Sequence, residues 1–580
     1  MRNSVQTERD TRGMVRGGYA VLAGAVLLAA AGLTLLLISR NLWYVFRSVT
    51  NVPYADQWVL LQEVARKRAG QLDWSYLWSP YWGQRPLLPR LATLLSIRYS
   101  HFSVLPFNLA SLAALIGMTA VILLLIRRLF PIRSWFFWIA AIAAVRLLFS
   151  TLHIEVVIVS MAMNFTFGYG SAIAAIAILA MARENRSGFE HRFWLAVFLG
   201  LVSTACLAVG LLVWPMLFFQ LWVLRARPRH YAVLGAITAA ILIFYSIGYV
   251  RPEMGMGVGG VIVHPIQAVR ITAMVLGGPL SDRSRTLGTI AGIIGLTVAG
   301  WSMLSLRHAR ALAGAAVALR LTVCFIVGTA ASLVAGRISP EWLIVYSGAI
   351  VPSRYLLPIL AFWAALVPVS LSCWREGLLA RASAITITVI VAVLTFGMWN
   401  WEWRFSREWA AFSERYDAIA SGFLLDVSDA ESMSPIIIND QIRRDVVDFM
   451  RREHLSVFAE PRAGWIGKPL SAVGAPNPQA NCGVAIDAAV PLTESAGFRV
   501  TGGVTADRKY LRQRLDLVFA DQAGTIEGLA RTLPIYSESG SGSAFLGYTR
   551  TNPGPDVRVY VRLPDGRVCG ASPLADRNVR

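Results

Sequence analysis

Residues 101–150 read "HFSVLPFNLASLAALIGMTAVILLLIRRLFPIRSWFFWIAAIAAVRLLFS". From Phe102 to Ile126 there is no Asp, Glu, Lys or Arg. A helix over that run rises roughly 37 Å, enough to cross a hydrocarbon core of about 30 Å. Arg127, Arg128 and Arg133 crowd the short break that follows. A second apolar segment, 134–150, then carries Arg146 near its far end. Two membrane-length runs around a short basic turn read as a pair of spanning helices, with the arginine-rich turn on the cytoplasmic side.

The same pattern extends in both directions. Residues 17–39, 156–182, 231–250, 286–306, 312–335, 354–374 and 382–401 are further membrane-length segments. The run 193–224 is charge-free over 32 residues, a helical length of roughly 48 Å, too long for one crossing. Its flanks, "ARENRSGFEHR" and "RARPRH", are both basic. A hairpin of two short helices turning near Gly210 puts both flanks in the cytoplasm. The expected fold is a mostly α polytopic membrane protein of about eleven transmembrane helices.

Arginine also sets the orientation. Arg2, Arg9, Arg12 and Arg16 precede the first span, and Arg307, Arg310, Arg375 and Arg381 lie in short loops on the same side. That side is the cytoplasm. The loop 40–101 is basic too, but long loops are translocated largely regardless of charge. An odd number of spans leaves the C-terminal domain outside. The run 17–39 exceeds the apolar core of a cleavable leader and no small-residue cleavage site follows, so it is expected to stay as a helix. The domains are then a cytoplasmic tail 1–16, a membrane domain 17–402, an extracytoplasmic helical linker 403–475 and a β domain 476–580.

Composition agrees. The chain is 56% hydrophobic and 15% charged, against about 25% charged in soluble proteins. The net charge of +20 is almost wholly arginine, the lysines being Lys67, Lys468 and Lys509. Anchoring to anionic membrane lipids accounts for it. No basic stripe with interleaved aromatics lies outside the membrane-flanking loops, which argues against a nucleic-acid partner. Of five cysteines, Cys206, Cys324 and Cys373 sit in apolar segments and read as small buried hydrophobes. There is no CxxC or Cys/His cluster, hence no zinc motif. Cys482 and Cys569, placed in an oxidising space, either pair or remain free thiols.

The tail divides in two. "QIRRDVVDFMRREHLSVF" (441–458) is an amphipathic helix with Val446, Val447, Phe449 and Met450 near one face. Beyond 480, "FRVTGGVTAD", "RLDLVFAD", "AFLGYTR" and "VRVYVRLPDGRVCG" alternate, and Asp565-Gly566 marks a turn. These strands read as a β-sandwich accessory module, which a Cys482–Cys569 bond would close from first strand to last.

Chemistry concentrates in "NVPYADQWVLLQEVARKRAGQLDWSYLWSPYWGQRPLLPRL" (51–91). Asp56, just past Pro53, either caps the helix that follows or serves as a general base. Trp74, Trp78 and Trp82 recur at helical spacing unless Pro80 ends the helix. With Trp58 they form either an interfacial bed or a platform for a sugar or lipid chain. Arg85, Arg90, Arg146, Arg337 and Arg354 all map to outer ends of spans. Each is either a snorkelling contact or a phosphate-binding fork. Glu155, His153 and His264 are secondary candidates on that side.

An aspartate in the first outer loop, together with "PYADQW", "GQRPLLPRL", the "AVGLLVWP" hairpin, "AGR" at 335–337 and "PSRYLLPILAFW" at 352–363, resembles the GT-C superfamily of integral-membrane glycosyltransferases. The resemblance covers roughly residues 17–400 and is to bacterial members. It implies an inner-membrane enzyme that moves a sugar from a polyprenyl-phosphate donor to a glycan or glycolipid acceptor, with inversion. Asp56 would be the base, and Arg85, Arg90, Arg337 and Arg354 would meet the departing phosphate. The chain departs from the pattern at two points. Gln57 stands where many relatives carry a second carboxylate, so a divalent metal is compatible with the class but unsupported by a paired acidic motif. Gln84, where relatives often show His, precedes Arg85. A flippase for polyprenyl-linked glycans would carry ionisable residues at mid-span, and only Arg320 does. A non-catalytic scaffold of an envelope-polysaccharide machine is the third reading.

Overall fold

The computed structural model describes residues 2–68, 74–81, 83–183, 188–249, 255–338, 352–433, 440–477, 482–493, 495–535, 542–553 and 557–570. Eight described helices are long and apolar enough to cross a membrane: Gly24–Arg47, Leu105–Leu129, Trp135–His153, Met163–Met181, Pro228–Ser246, Arg285–His308, Gly314–Gly336 and Ser353–Arg375. Two bent pairs, Gly257–Val263 with Pro265–Leu276 and Arg381–Gly397 with Trp399–Leu425, bring the number to ten if each is one span.

This differs from the expected eleven in two places. The run 193–224 forms the expected two short helices turning at Gly210, but neither counts as a membrane-length span: Phe189–Cys206 opens on Glu190, His191 and Arg192, and Val213–Leu224 has only 12 residues. The turn Ala208–Leu212 between them packs so tightly that a Cβ on Gly210 would lie 2.5 Å from the Ser203 backbone. Conversely, Gly257–Leu276, read as loop, is helical with a 110° bend at Pro265, which has no N–H to continue the ladder. Its second limb lies against Arg285–Leu304, where Gly292 abuts the Ala273 carbonyl and leaves no room for a side chain. Small residues at helix contacts let backbones approach in this way. Ser353–Arg375 is the centre of the bundle, buried along its whole apolar window.

The long helix Trp399–Leu425 follows a π turn at Val393–Gly397 and a 43° bend. Its outer half carries the face that packs the tail, since Tyr416, Ile419 and Phe423 are buried with Leu529 and Leu546. The strands are β1 (Gly483–Pro491), β2 (Phe498–Thr505), β3 (Asp516–Ala520), β4 (Ile526–Leu533), β5 (Ser543–Thr549), β6 (Arg558–Arg562) and β7 (Val568–Gly570). They pair antiparallel in the order β1-β2-β5-β4-β3-β6-β7.

The expected sandwich is therefore corrected to a single sheet curled as a half-barrel. Along β3, Leu517 and Phe519 join one apolar cluster while Val518 joins another. Both faces are thus apolar, but helices rather than a second sheet cover one of them. Cys482 and Cys569 are disulfide-bonded with Cα atoms 6.0 Å apart. Because they belong to opposite ends of the strand order, the bond requires the sheet to roll.

The helix Asp56–Arg68, from the loop after the first long helix, joins this C-terminal body. Trp58, Leu61 and Val64 are buried in one cluster with Val446, Val447, Phe449 and Met450 of helix Asp440–Arg452. Gln62 donates to Asp445 at 2.7 Å. Asp417 accepts from Arg462 at 3.1 Å and from Arg531, with Arg514 3.6 Å away. The candidate base is thus held between the bundle and a well-packed outer layer.

Candidate functional site

Ala55 adopts a left-handed backbone, φ +47°. The Tyr54 N–H donates to Gln57 Oε1 at 2.6 Å, and the Gln57 N–H returns to the Tyr54 carbonyl at 3.1 Å. This turn starts the helix with Asp56 in its first turn, where the helix dipole favours negative charge. The Asp56 carboxylate accepts no hydrogen bond and forms no contact ion pair among the described residues. It is not used as a cap.

Glu155 begins the short helix Glu155–Ile158. It accepts from Arg354 Nη1 at 2.7 Å and from the Arg354 backbone N–H at 3.2 Å. Its own N–H donates to Ser353 Oγ at 3.4 Å. The Arg354 guanidinium also lies 5.4 Å from the Tyr355 ring centre. Arg337 ends the helix Gly314–Gly336, its N–H donating to the Leu333 carbonyl at 2.7 Å.

Asp56, Glu155, Arg337 and Arg354 come together on one cavity of about 190 Å³, with Tyr54, Tyr81, Gln84 and Asn164 between them. The Tyr54 hydroxyl is pushed up to about 12, chiefly by burial and then by Glu155, against the pull of Arg354. It remains a protonated donor at physiological pH.

A second cavity of about 500 Å³ adjoins the first, walled by Leu207, Val209, Leu211, Leu212, Val258 and Leu333 among others. Gln84, Phe165, Arg337 and Tyr355 line both. Arg337 is the only charged residue among the described ones lining this apolar groove. The site is thus an apolar groove and a polar chamber side by side, with Arg337 in the wall they share.

Other candidates serve elsewhere. Arg85 is buried and donates to the carbonyls of Trp78, Tyr245 and Ile247, tying the loop after the first long helix to the end of Pro228–Ser246. Arg90 is fully buried, 3.3 Å from Glu63 and 5.2 Å from the Tyr76 ring centre. Arg146 is enclosed with Glu402, its Nη1 donating at 3.0 Å. His264 is exposed at the 110° bend, and His153 is buried with Nε2 2.9 Å from the Leu148 carbonyl. Trp58 is core, its indole N–H donating to Tyr416 Oη at 3.3 Å. The helix Trp74–Trp78 stops before Pro80. Trp78 packs edge-on against Phe244 and beside Arg85. Trp82 and the Trp74 side chain lie outside the described residues. No group of three or more His, Cys, Asp or Glu among the described residues is arranged to hold a metal ion.

Sequence reading missed Tyr54, Tyr81, Gln84 and Asn164 as lining residues. Tyr54 stands inside the quoted "PYADQW" beside Asp56, and Gln84 stands inside "GQRPLLPRL" beside Arg85, so closeness to a named candidate was the available signal for both. Asn164 begins a span and carried none. No family model, curated protein or solved structure matches this chain.

Proposed function

We propose that the chain transfers a sugar from a polyprenyl-phosphate donor to an envelope glycan or glycolipid acceptor, with inversion and with Asp56 as general base. The observation that carries this reading is the adjacency of an apolar groove and a polar chamber, with Arg337 in their shared wall and an uncommitted carboxylate in the chamber. An amphipathic donor matches each part. The isoprenoid chain occupies the groove, the phosphate meets Arg337, and the sugar enters the chamber.

Asp56 then takes the proton of the acceptor hydroxyl. The acceptor oxygen forms its bond to the anomeric carbon as the bond from that carbon to the phosphate oxygen breaks. The lipid phosphate leaves with the electron pair, and Arg337 and Arg354 meet the charge that develops. We place the chamber outside a bacterial inner membrane, with the N-terminus cytoplasmic and the C-terminal domain extracytoplasmic; the disulfide fits an oxidising side. The flippase reading loses its cue. Arg320 lies in the second turn of its helix, paired with Glu376 at 2.8 Å.

The test is transfer from radiolabelled polyprenyl-phosphate sugars in proteoliposomes, by the parent and Asp56→Asn. Loss of about 10²–10⁴-fold in a folded Asp56→Asn is expected for removal of a general base. Equal transfer by both would remove Asp56 from the mechanism. No transfer by the parent from any donor would favour the scaffold.

A further inference from the structure

We infer that Asn164 reads a hydroxyl of the transferred sugar and so sets donor specificity, an inference that rests on the reading above. Asn164 is the second residue of helix Met163–Met181. It lines the polar chamber but not the groove, whereas the next residue, Phe165, lines both. Phe165 is fixed there by an edge contact with Tyr355, ring centres 5.5 Å apart. Asn164 therefore belongs to the chamber side of the shared wall. That is the side taken by whatever is attached to a phosphate held at Arg337.

Asn164 is 4% exposed, and its Oδ1 is buried with no hydrogen-bond partner. Its neighbour Thr166 shows the local alternative, donating to the Met163 carbonyl at 3.0 Å. The Asn164 Oδ1 is thus a buried acceptor left without a donor. Such a group is costly, and a native structure retains it where a ligand or ordered water completes it.

The charged groups of the chamber already have work in the transfer. Asp56 takes the proton, Arg337 meets the phosphate, and Arg354 is tied to Glu155. A primary amide adds what they lack: it accepts and donates at once, the pattern presented by a sugar hydroxyl. A site built to bond a hydroxyl rejects the analogue that lacks it, because its own polar atom is then stranded.

The test measures binding by native mass spectrometry of the full chain in nanodiscs. The probes are bare polyprenyl phosphate and a panel of polyprenyl-phosphate hexoses, pentoses and their monodeoxy forms. The parent should hold one glycosylated lipid more tightly than the bare lipid. Asn164→Ala should weaken that lipid about 10–100-fold while leaving the bare lipid unchanged. Asn164→Asp, which keeps an acceptor, should lose less. One monodeoxy sugar should bind parent and Asn164→Ala alike.

Thermal melting separates this role from a structural one. Removing an unsatisfied buried amide should leave Tm unchanged or raise it, whereas a structural asparagine would lower it. If Asn164→Ala weakens both lipids equally, or neither, the inference fails while the donor reading stands. If the parent binds no polyprenyl-phosphate species, the donor reading fails and takes this inference with it.

Discussion

Two arginine–glutamate pairs, each joining residues far apart in the chain, differ in what surrounds them. Arg146 and Glu402 are both 1% exposed, and Glu402 also accepts from Ser150 Oγ. The Glu402 backbone carbonyl takes Thr151 and Ser406. This pair joins Trp135–Leu148 to the helix that carries the outer layer. Arg354 is 35% exposed beside Glu155 at 7%, and both line an open chamber. From sequence, Arg146 and Arg354 look alike, as lone guanidiniums at outer span ends. The difference is access. A closed pair holds helices together, while an open one can be reached from the chamber.

The largest expected effect breaks the closed pair. Glu402→Ala leaves Arg146 buried without its partner, which costs about 3–5 kcal/mol. Detergent-solubilised Glu402→Ala should show a sharply lowered melting temperature and poor folded yield. A variant that melts like the parent would mean that Arg146 finds solvent, and the two pairs would not differ in kind.

Next is the wall the chamber shares with the groove. Arg337→Gln keeps a polar side chain but removes the fixed charge that the proposed reaction would set against the developing phosphate charge. Loss of one such preorganised donor costs about 10²–10³ in kcat. Donor transfer should fall by that factor, with any fall in Tm well short of that of Glu402→Ala. A fall in Tm comparable to that of Glu402→Ala would make Arg337 a structural cap of its helix and nothing more.

How much of this could be read beforehand depends on which coordinate of a residue matters. Hydropathy reports depth along the membrane normal, so Asp56, Glu155, Arg337 and Arg354 were all assigned to one face, and they do meet. It does not report direction around a helix or the partner across a loop. Arg90 reached Glu63, 27 residues back, and Arg85 reached carbonyls at the end of Pro228–Ser246. Neither partner leaves a periodic trace. The tail failed for a related reason. Alternation in β3 fixes which side chains share a face, but not whether a sheet or a helix covers that face. The outer half of Trp399–Leu425 took the place assigned to a second sheet. Neutral lining residues such as Tyr54 and Asn164 carry no charge anomaly, so composition could not mark them.

The smallest expected effect is also the sharpest test of the comparison. Glu155→Gln keeps one oxygen that can accept from Arg354 Nη1 and loses the acceptor for the Arg354 backbone N–H, and Arg354, unlike Arg146, can turn toward water. The stability change should therefore stay near 1 kcal/mol, well short of the Glu402→Ala loss. Transfer is another matter. A neutral amide anchors the guanidinium less firmly than a carboxylate, since hydrogen bonds to charged groups are worth roughly 1.5–3 kcal/mol against about 1 for neutral ones. A loss near 1.4 kcal/mol in the transition state is about tenfold in rate. We expect Glu155→Gln to melt nearly as the parent does and to transfer roughly tenfold more slowly, with most of the change in kcat. If it unfolds as Glu402→Ala does, both pairs are architectural and openness to the chamber carries no functional meaning. If it melts and transfers like the parent, Arg354 is held by the Ser353 turn and the Tyr355 ring, and the work of meeting the phosphate falls to Arg337 alone.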